Sequence, residues 1–415
     1  MTQRRPRRLL AVLALVVAAA VLGTVAWRWW STTASDDPDI VHHGHPPDAP
    51  YRAFYEPPSP LPAGAPGDLI RAASFDIQPP GAHVHRLLYH SRTAADDDIA
   101  VSGLLITPTT DPPSGGFPLI AFAHPTVGIS EKCAVSANLF IPLIPADVQN
   151  FYQIYFEPFV RAGFAVVATD YQGMGAPGPY SYLVGEIEGR NVLDIARAAR
   201  QVDGVQISAR VAIVGHSQGG HGGLFARQIA AAYAPELTIT GSAFAAPAAD
   251  LHTILDAVLT RTERTPLTGM VAMTAVSWVE TYAPALALRD LMSSAGIATT
   301  KRLGEHCILL ADLGFAERPP AAYFPVNPAS VPAWADVIAR NTPDTGRIET
   351  PLLIAQGEAD AVVPFASTET FVEQARAGGN DITFHPYPGA GHMSVLHQAM
   401  PAIVTWISNR FADSP

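Results

Sequence analysis

Gly215-His216-Ser217-Gln218-Gly219 follows directly on the apolar run Val211-Ala212-Ile213-Val214. A strand that turns sharply into a helix at G-x-S-x-G throws the serine hydroxyl to the tip of the turn. Glycines flank the serine because so tight a turn has no room for a Cβ. Gly219, Gly220, Gly222 and Gly223 are small enough for a helix to lie close on a sheet, and Leu224-Phe225-Ala226-Arg227-Gln228-Ile229-Ala230 reads as that helix. A serine hydroxyl becomes a useful nucleophile only beside a base, and the base needs an acid to orient it. On a strand-turn-helix of this kind the partners follow in the order serine, acid, histidine.

Both partners are present downstream. Leu352-Leu353-Ile354-Ala355-Gln356 reads as a buried parallel strand, and Asp360 lies in the Gly357–Pro364 turn after it. Ile382-Thr383-Phe384-His385-Pro386-Tyr387 reads as the next strand, and His392 follows in the loop Pro388-Gly389-Ala390-Gly391-His392. Ser217, Asp360 and His392 would then stand at strand C-terminal ends, where open α/β sheets place their sites. Taken singly, Asp360 is an ordinary turn former and His392 a surface histidine; together they form a constellation. Asp250, after the strand-like Gly241–Ala246 run, is the main rival acid. Asp170 also ends a strand but precedes the serine.

The chemistry such a trio supports is acyl transfer through a serine ester. The transient oxyanion needs two N–H donors. One is expected from the backbone of Gln218, the residue after the nucleophile. The other is expected from the loop after the Leu119–His124 strand: Thr126, because Pro125 has no N–H, with Val127 and Gly128 as alternatives. No metal or organic cofactor is required.

The elements that must position these residues follow an α/β rhythm. Residues 68–108 alternate as antiparallel opening strands do. Strands are expected at Leu119–His124, Ala165–Asp170 and Thr238–Ala246, and helices at Val148–Ala162, Glu188–Val202 and Pro401–Phe411, with Pro401 in its first turn and a further helical segment from Ser394. Between 248 and 345 the rhythm breaks into helical patterns such as Leu251-Ile254-Leu255-Val258-Leu259 and repeated prolines. That is too long for a loop and reads as a helical cap over the serine. Met270, Val271, Val276, Trp278 and Leu291 are candidates for its lining or its own core.

The chain resembles the secretory lipase family of α/β-hydrolases, in its actinobacterial branch. The matching stretches are Ala123-His124-Pro125-Thr126-Val127-Gly128 with Cys133, Thr169 to Gly175, Tyr182 to Glu186 with Gly189, and Val192-Leu193-Asp194. Gly215 to Gly220, Gln356-Gly357 through Pro364 and Gly391-His392 complete the set. The family usually has glycine where this chain has Pro125. The resemblance implies a mostly parallel central sheet flanked by helices, a core at 67–247 and 346–415, a cap at 248–345, and a lipid or acyl-ester substrate. An acyltransferase, a peptidase on the same fold and an inactive cell-envelope binding protein are the alternatives.

Composition agrees with a large buried core: 415 residues, 48% hydrophobic and 15% charged, with a net charge of −11. Five of the 26 basic residues and none of the 37 acidic ones lie in the first 30 positions, so the rest of the chain is more acidic than the whole. This argues against nucleic acid as a partner. Arg4, Arg5, Arg7 and Arg8 precede the uncharged run Leu9–Trp27, roughly 28 Å long as a helix and close to the thickness of a bilayer's hydrocarbon core. Arg28, Trp29 and Trp30 follow as interfacial anchors do. Residues 1–30 therefore read as a membrane anchor, or as a signal peptide cleaved near Thr32-Thr33-Ala34; either way the enzyme is exported. Residues 31–66 read as a Pro- and Asp-rich tether, in which His42, His43 and His45 belong to a solvated linker rather than a metal site. His83 and His85 share one strand face, read as solvated. In an exported chain the two cysteines, Cys133 and Cys307, are expected to form a disulfide between the oxyanion-loop region and the cap.

Overall fold

Strands β1 (Leu69–Ser74), β2 (Ala82–Arg92) and β3 (Asp98–Pro108) open the sheet as antiparallel neighbours, in keeping with their alternating sequence. The strands after them are β4 (Phe117–Ala123), β5 (Ala165–Thr169), β6 (Ile207–His216), β7 (Thr238–Ala245), β8 (Leu352–Gly357) and β9 (Ile382–Tyr387); β4, β5, β8 and the second half of β6 are apolar-rich and buried, as central strands covered on both faces are. In this computed structural model, which describes residues 49–140, 150–307 and 314–413, these nine strands run in the order β1-β2-β3-β5-β4-β6-β7-β8-β9. All pairs from β5 to β9 are parallel. This is the α/β-hydrolase architecture expected from the sequence.

The described chain begins with helix α1 (Ala49–Tyr55). Helices α2 (Gly185–Ala199) and α3 (Gln218–Tyr233) cover one face of the sheet through Val192, Ile195, Ala196, Leu224 and Ala226. A separate apolar cluster holds the insertion together, built on α4 (Leu251–Leu259), α5 (Thr268–Tyr282) and α6 (Pro332–Arg340) and packed against Tyr182, Leu183, Val184 and Ile187. Trp278, Val271 and Leu291 are buried in this cluster and Met270 and Val276 pack on it, so the insertion has a core of its own. Helices α7 (Phe365–Ala377) and α8 (Ser394–Asp413) complete the fold.

Three expectations are corrected. The tether does not reach residue 66: Phe54 and Tyr55 are buried, Arg71 donates to the carbonyls of Ala53 and Glu56 at 2.9 Å, and Gly64 N–H donates to Asp98 at 3.0 Å. Pro401 lies inside α8, not in a first turn, because buried Val395, Leu396, Ala399, Ile403 and Ile407 carry one helix through it. Helix α2 starts three residues earlier than Glu188, since the Glu188 carboxylate accepts the Leu183 N–H and closes the helix start. The helix expected from Val148 is described only from 150; it opens with a π-type turn over Tyr152–Phe156 before Glu157–Arg161. The expected anchor at 1–30 and the histidines at 42, 43 and 45 lie outside the described residues.

Cys133 and Cys307 are bonded, with Cα atoms 5.2 Å apart and a sequence separation of 174. The bond ties the segment after β4 to the insertion. Replacing both cysteines by serine is expected to lower stability by about 2–4 kcal/mol, read from denaturant unfolding under non-reducing conditions. Unchanged midpoint and slope would show that the bond carries no stability.

Candidate active site

The site is built at the C-terminal ends of the neighbouring strands β4, β6, β7, β8 and β9. Strand β6 ends at His216 and the chain reverses at Ser217, whose backbone is at φ +58°, ψ −119°. A non-glycine residue at positive φ is strained and persists only where the surroundings fix it. Here they do. The Ser217 N–H donates to the Ala245 carbonyl at 3.0 Å. A Cβ on Gly219 would stand 1.9 Å from the Ala123 carbonyl oxygen, and one on Gly215 2.3 Å from that of Gly219. Both glycines of the motif are thus required by contact between α3 and the sheet.

His392 lies between the other two members. Its Nε2 accepts from the Ser217 hydroxyl at 2.8 Å, and its Nδ1–H donates to Asp360 Oδ2 at 2.8 Å. Asp360 is well furnished with donors: Oδ1 accepts the N–H groups of Val362 (2.8 Å) and Val363 (2.9 Å), and Oδ2 also accepts from the Gln356 amide at 3.1 Å. Burial alone would raise its carboxyl, but the bond and charge of His392 and the two N–H donors outweigh it and hold the group below its ordinary value. Asp360 is therefore ionised at neutral pH.

The rival acids are engaged elsewhere. Asp250 caps α4, accepting from the Thr253 N–H at 3.1 Å and its hydroxyl at 2.5 Å. Asp170 is buried among Ser102 and Ser136, which donate to it at 2.6 and 2.5 Å. Two contributors were not read from the sequence. Gln356 holds Asp360, and its own Oε1 is fixed by the Thr368 hydroxyl at 2.8 Å. His216 Nε2–H donates to the backbone carbonyl of His392 at 3.0 Å, the two rings 4.9 Å apart. Burial, then repulsion from His392, pushes the His216 imidazole down to about 3, so it stays neutral. The position inside G-x-S-x-G was the available signal for His216.

Gln218 opens helix α3, so its N–H belongs to the first turn, which lacks intrahelical acceptors. Thr126 lies on the loop leaving β4, beside the serine turn because Ala123 pairs with Gly215. Its hydroxyl is hydrogen-bonded to the Tyr182 hydroxyl at 2.9 Å. The insertion reaches the same region from two sides: Arg261 donates to the Ala361 carbonyl at 3.0 Å, next to Asp360, and Asn341 O accepts from His221, one turn beyond Ser217. Among the described residues no group of three or more His, Cys, Asp or Glu side chains could hold a metal ion.

Fold and site together define an α/β-hydrolase with a serine at the elbow. The chain belongs to the secretory lipase family, whose model matches residues 149–415. It is 25% identical to a Mycobacterium tuberculosis protein named a probable inactive lipase, over 87% of this chain and 82% of that protein. It is 22% identical to lipase 10 of Candida albicans, over 88% and 81%. Its fold is similar to that of Candida antarctica lipase A in its closed state, with a TM-score of 0.71, 20% identity and coverage of 87% and 86%.

Burial pushes the Asp170 carboxyl from its ordinary 3.8 up to about 6, against the opposing bonds from Ser102 and Ser136. Between those values the folded protein holds a proton that the unfolded chain has lost. Stability from this group therefore falls as pH rises through the interval. Relative to wild type, Asp170→Asn is expected to gain up to about 3 kcal/mol of unfolding free energy between about pH 4 and pH 7. Unfolding curves in urea at the two pH values check this; an offset that does not change with pH would refute it.

Proposed function

We propose that this protein is an exported serine hydrolase that cleaves carboxylic ester bonds of lipids or acyl esters. The observation that carries the proposal is His392 hydrogen-bonded at 2.8 Å to both Ser217 and Asp360. His392 Nε2 takes the hydroxyl proton as Ser217 Oγ attacks the ester carbonyl. Ionised Asp360 holds the Nε2-accepting tautomer and stabilises the imidazolium that forms. The N–H groups of Gln218 and Thr126 receive the oxyanion. The tetrahedral intermediate collapses, His392 gives its proton to the leaving alcohol, and the acyl group remains on Ser217. Water, deprotonated by His392, then releases the acid and frees the serine. No step calls on a metal or organic cofactor.

The name of the Mycobacterium tuberculosis relative raises a second reading, a hydrolase fold kept without its activity. The hydrogen-bonded trio favours the active one. The insertion serves in this proposal as the wall that excludes water and holds the acyl chain, and the uncharged Leu9–Trp27 run as an export signal, either kept as a membrane anchor or cleaved. The family's secretory character supports export.

A fluorophosphonate probe is expected to label wild type at Ser217 and to leave Ser217→Ala unlabelled. Hydrolysis of p-nitrophenyl esters should fall by several orders of magnitude in that variant, with the fold intact. Asp360→Asn should lose roughly 10²- to 10⁴-fold in kcat, and Asp250→Asn should change it little. An unlabelled, inactive wild type would establish the second reading instead, and loss confined to Asp250→Asn would reassign the acid.

A further inference from the structure

Helix α2 carries a carboxylate that the reaction does not use. Glu188 is fully buried, and each of its oxygens is engaged. Oε1 accepts the Leu183 N–H at 2.9 Å and the side-chain amide of Gln218 at 2.7 Å. Oε2 faces His221 Nδ1 at 2.9 Å, while His221 Nε2 lies 2.7 Å from the carbonyl oxygen of Asn341. A carbonyl only accepts, so Nε2 carries a proton. One proton lies between His221 Nδ1 and Glu188 Oε2, so the two side chains form a buried hydrogen-bonded pair. Gly222, facing Glu188 from α3, leaves the space: a Cβ there would stand 3.0 Å from the Glu188 Cβ.

The groups this carboxylate grips are the point. Gln218 supplies one oxyanion N–H in the proposed mechanism. Leu183 sits at φ +53°, and its neighbour Tyr182 is bonded through its hydroxyl to Thr126, which supplies the other. Asn341, at the end of α6, also accepts the Gly185 N–H through its side chain at 3.0 Å. The Gln218 side chain is committed to Glu188 although its own Oε1 is buried without a hydrogen-bond partner. We propose that Glu188 is the positioning residue of the oxyanion hole: it clamps Gln218 directly, holds the Thr126 wall through Leu183 and Tyr182, and is anchored to the cap through His221 and Asn341. Glu188 touches no reacting atom. The inference rests on the serine-hydrolase reading.

The test is steady-state kinetics on a short p-nitrophenyl ester beside inhibition by an alkyl trifluoromethyl ketone. Ser217 adds to that ketone to give a tetrahedral oxyanion; the corresponding secondary alcohol binds without forming one. Glu188→Ala is expected to lower kcat ~10-fold or more with KM within about 2-fold. It should weaken the ketone by the same factor and leave the alcohol unaffected. Glu188→Gln keeps an acceptor for Leu183 and Gln218 and can donate to a neutral His221, so it should recover most of kcat. An unchanged kcat in Glu188→Ala, equal weakening of ketone and alcohol, or equal losses in Glu188→Gln and Glu188→Ala would each overturn the proposal. If Glu188→Ala does not fold, Gln218→Ala takes its place: it removes the tether and keeps the backbone N–H, and the same losses are expected, with an unchanged kcat overturning the proposal. Failure of wild type to react with a fluorophosphonate refutes the hydrolase reading itself; a labelled wild type with a fully active Glu188→Ala refutes only this one.

Discussion

The carbonyl oxygen of Ala123 stands where a Cβ on Gly219 would have to be, 1.9 Å away. Helix α3 can lie that close to β4 only because Gly219 has no side chain, and the closeness has consequences in three directions. It forces the reversal at Ser217 into a positive-φ conformation that lifts the hydroxyl out of the strand. It sets the first turn of α3, with its free N–H groups, beside the loop that carries Thr126. It also brings Gln218 and His221 against α2, where Glu188 meets them. A larger residue at 219 would disturb all three at once.

Charge around the elbow is arranged to keep each buried group in one protonation state. Asp360 stays ionised because four donors face its oxygens. His216, buried and unable to gain a proton, donates to the backbone of His392 and does not compete with it. In the proposed reaction His392 is the member of this cluster that moves a proton between Ser217 and itself. Buried polar networks of this kind are stable only when nearly every member is satisfied, and then they fix a single geometry.

The insertion is joined to this arrangement in two ways. The Cys133–Cys307 bond is covalent and ties it to the loop side; the Asn341–His221 hydrogen bond ties its last helix to the serine side. Membership in the secretory lipase family goes with the fold, while activity is decided by the atoms of the site.

The sheet was legible in the sequence because parallel strands buried on both faces are rich in apolar residues, and those at β4, β5, β7 and β8 appear within a residue or two of expectation. Ser217, Asp360 and His392 could be named because each follows a strand in a glycine-marked turn. Local signals failed where distant burial overrode them: Pro401 reads as a helix start but is carried inside α8 by the apolar stripe on both sides of it, and residues 49–66 read as tether though Phe54 and Tyr55 find a buried surface. Asp360 was preferred to Asp250 from its place after the strand that precedes the His392 strand, whereas its hydrogen bond to the imidazole depends on the meeting of two loops. Glu188, His221 and Asn341 lay beyond reach altogether. Residues 33 and 120 apart in sequence meet only because α2, α3 and α6 converge, and a buried hydrogen-bonded pair has no local pattern to announce it. Sequence by itself determined which residues could do the chemistry, through the backbone demands of one tight turn; the packing of helices on the sheet decided which of them meet.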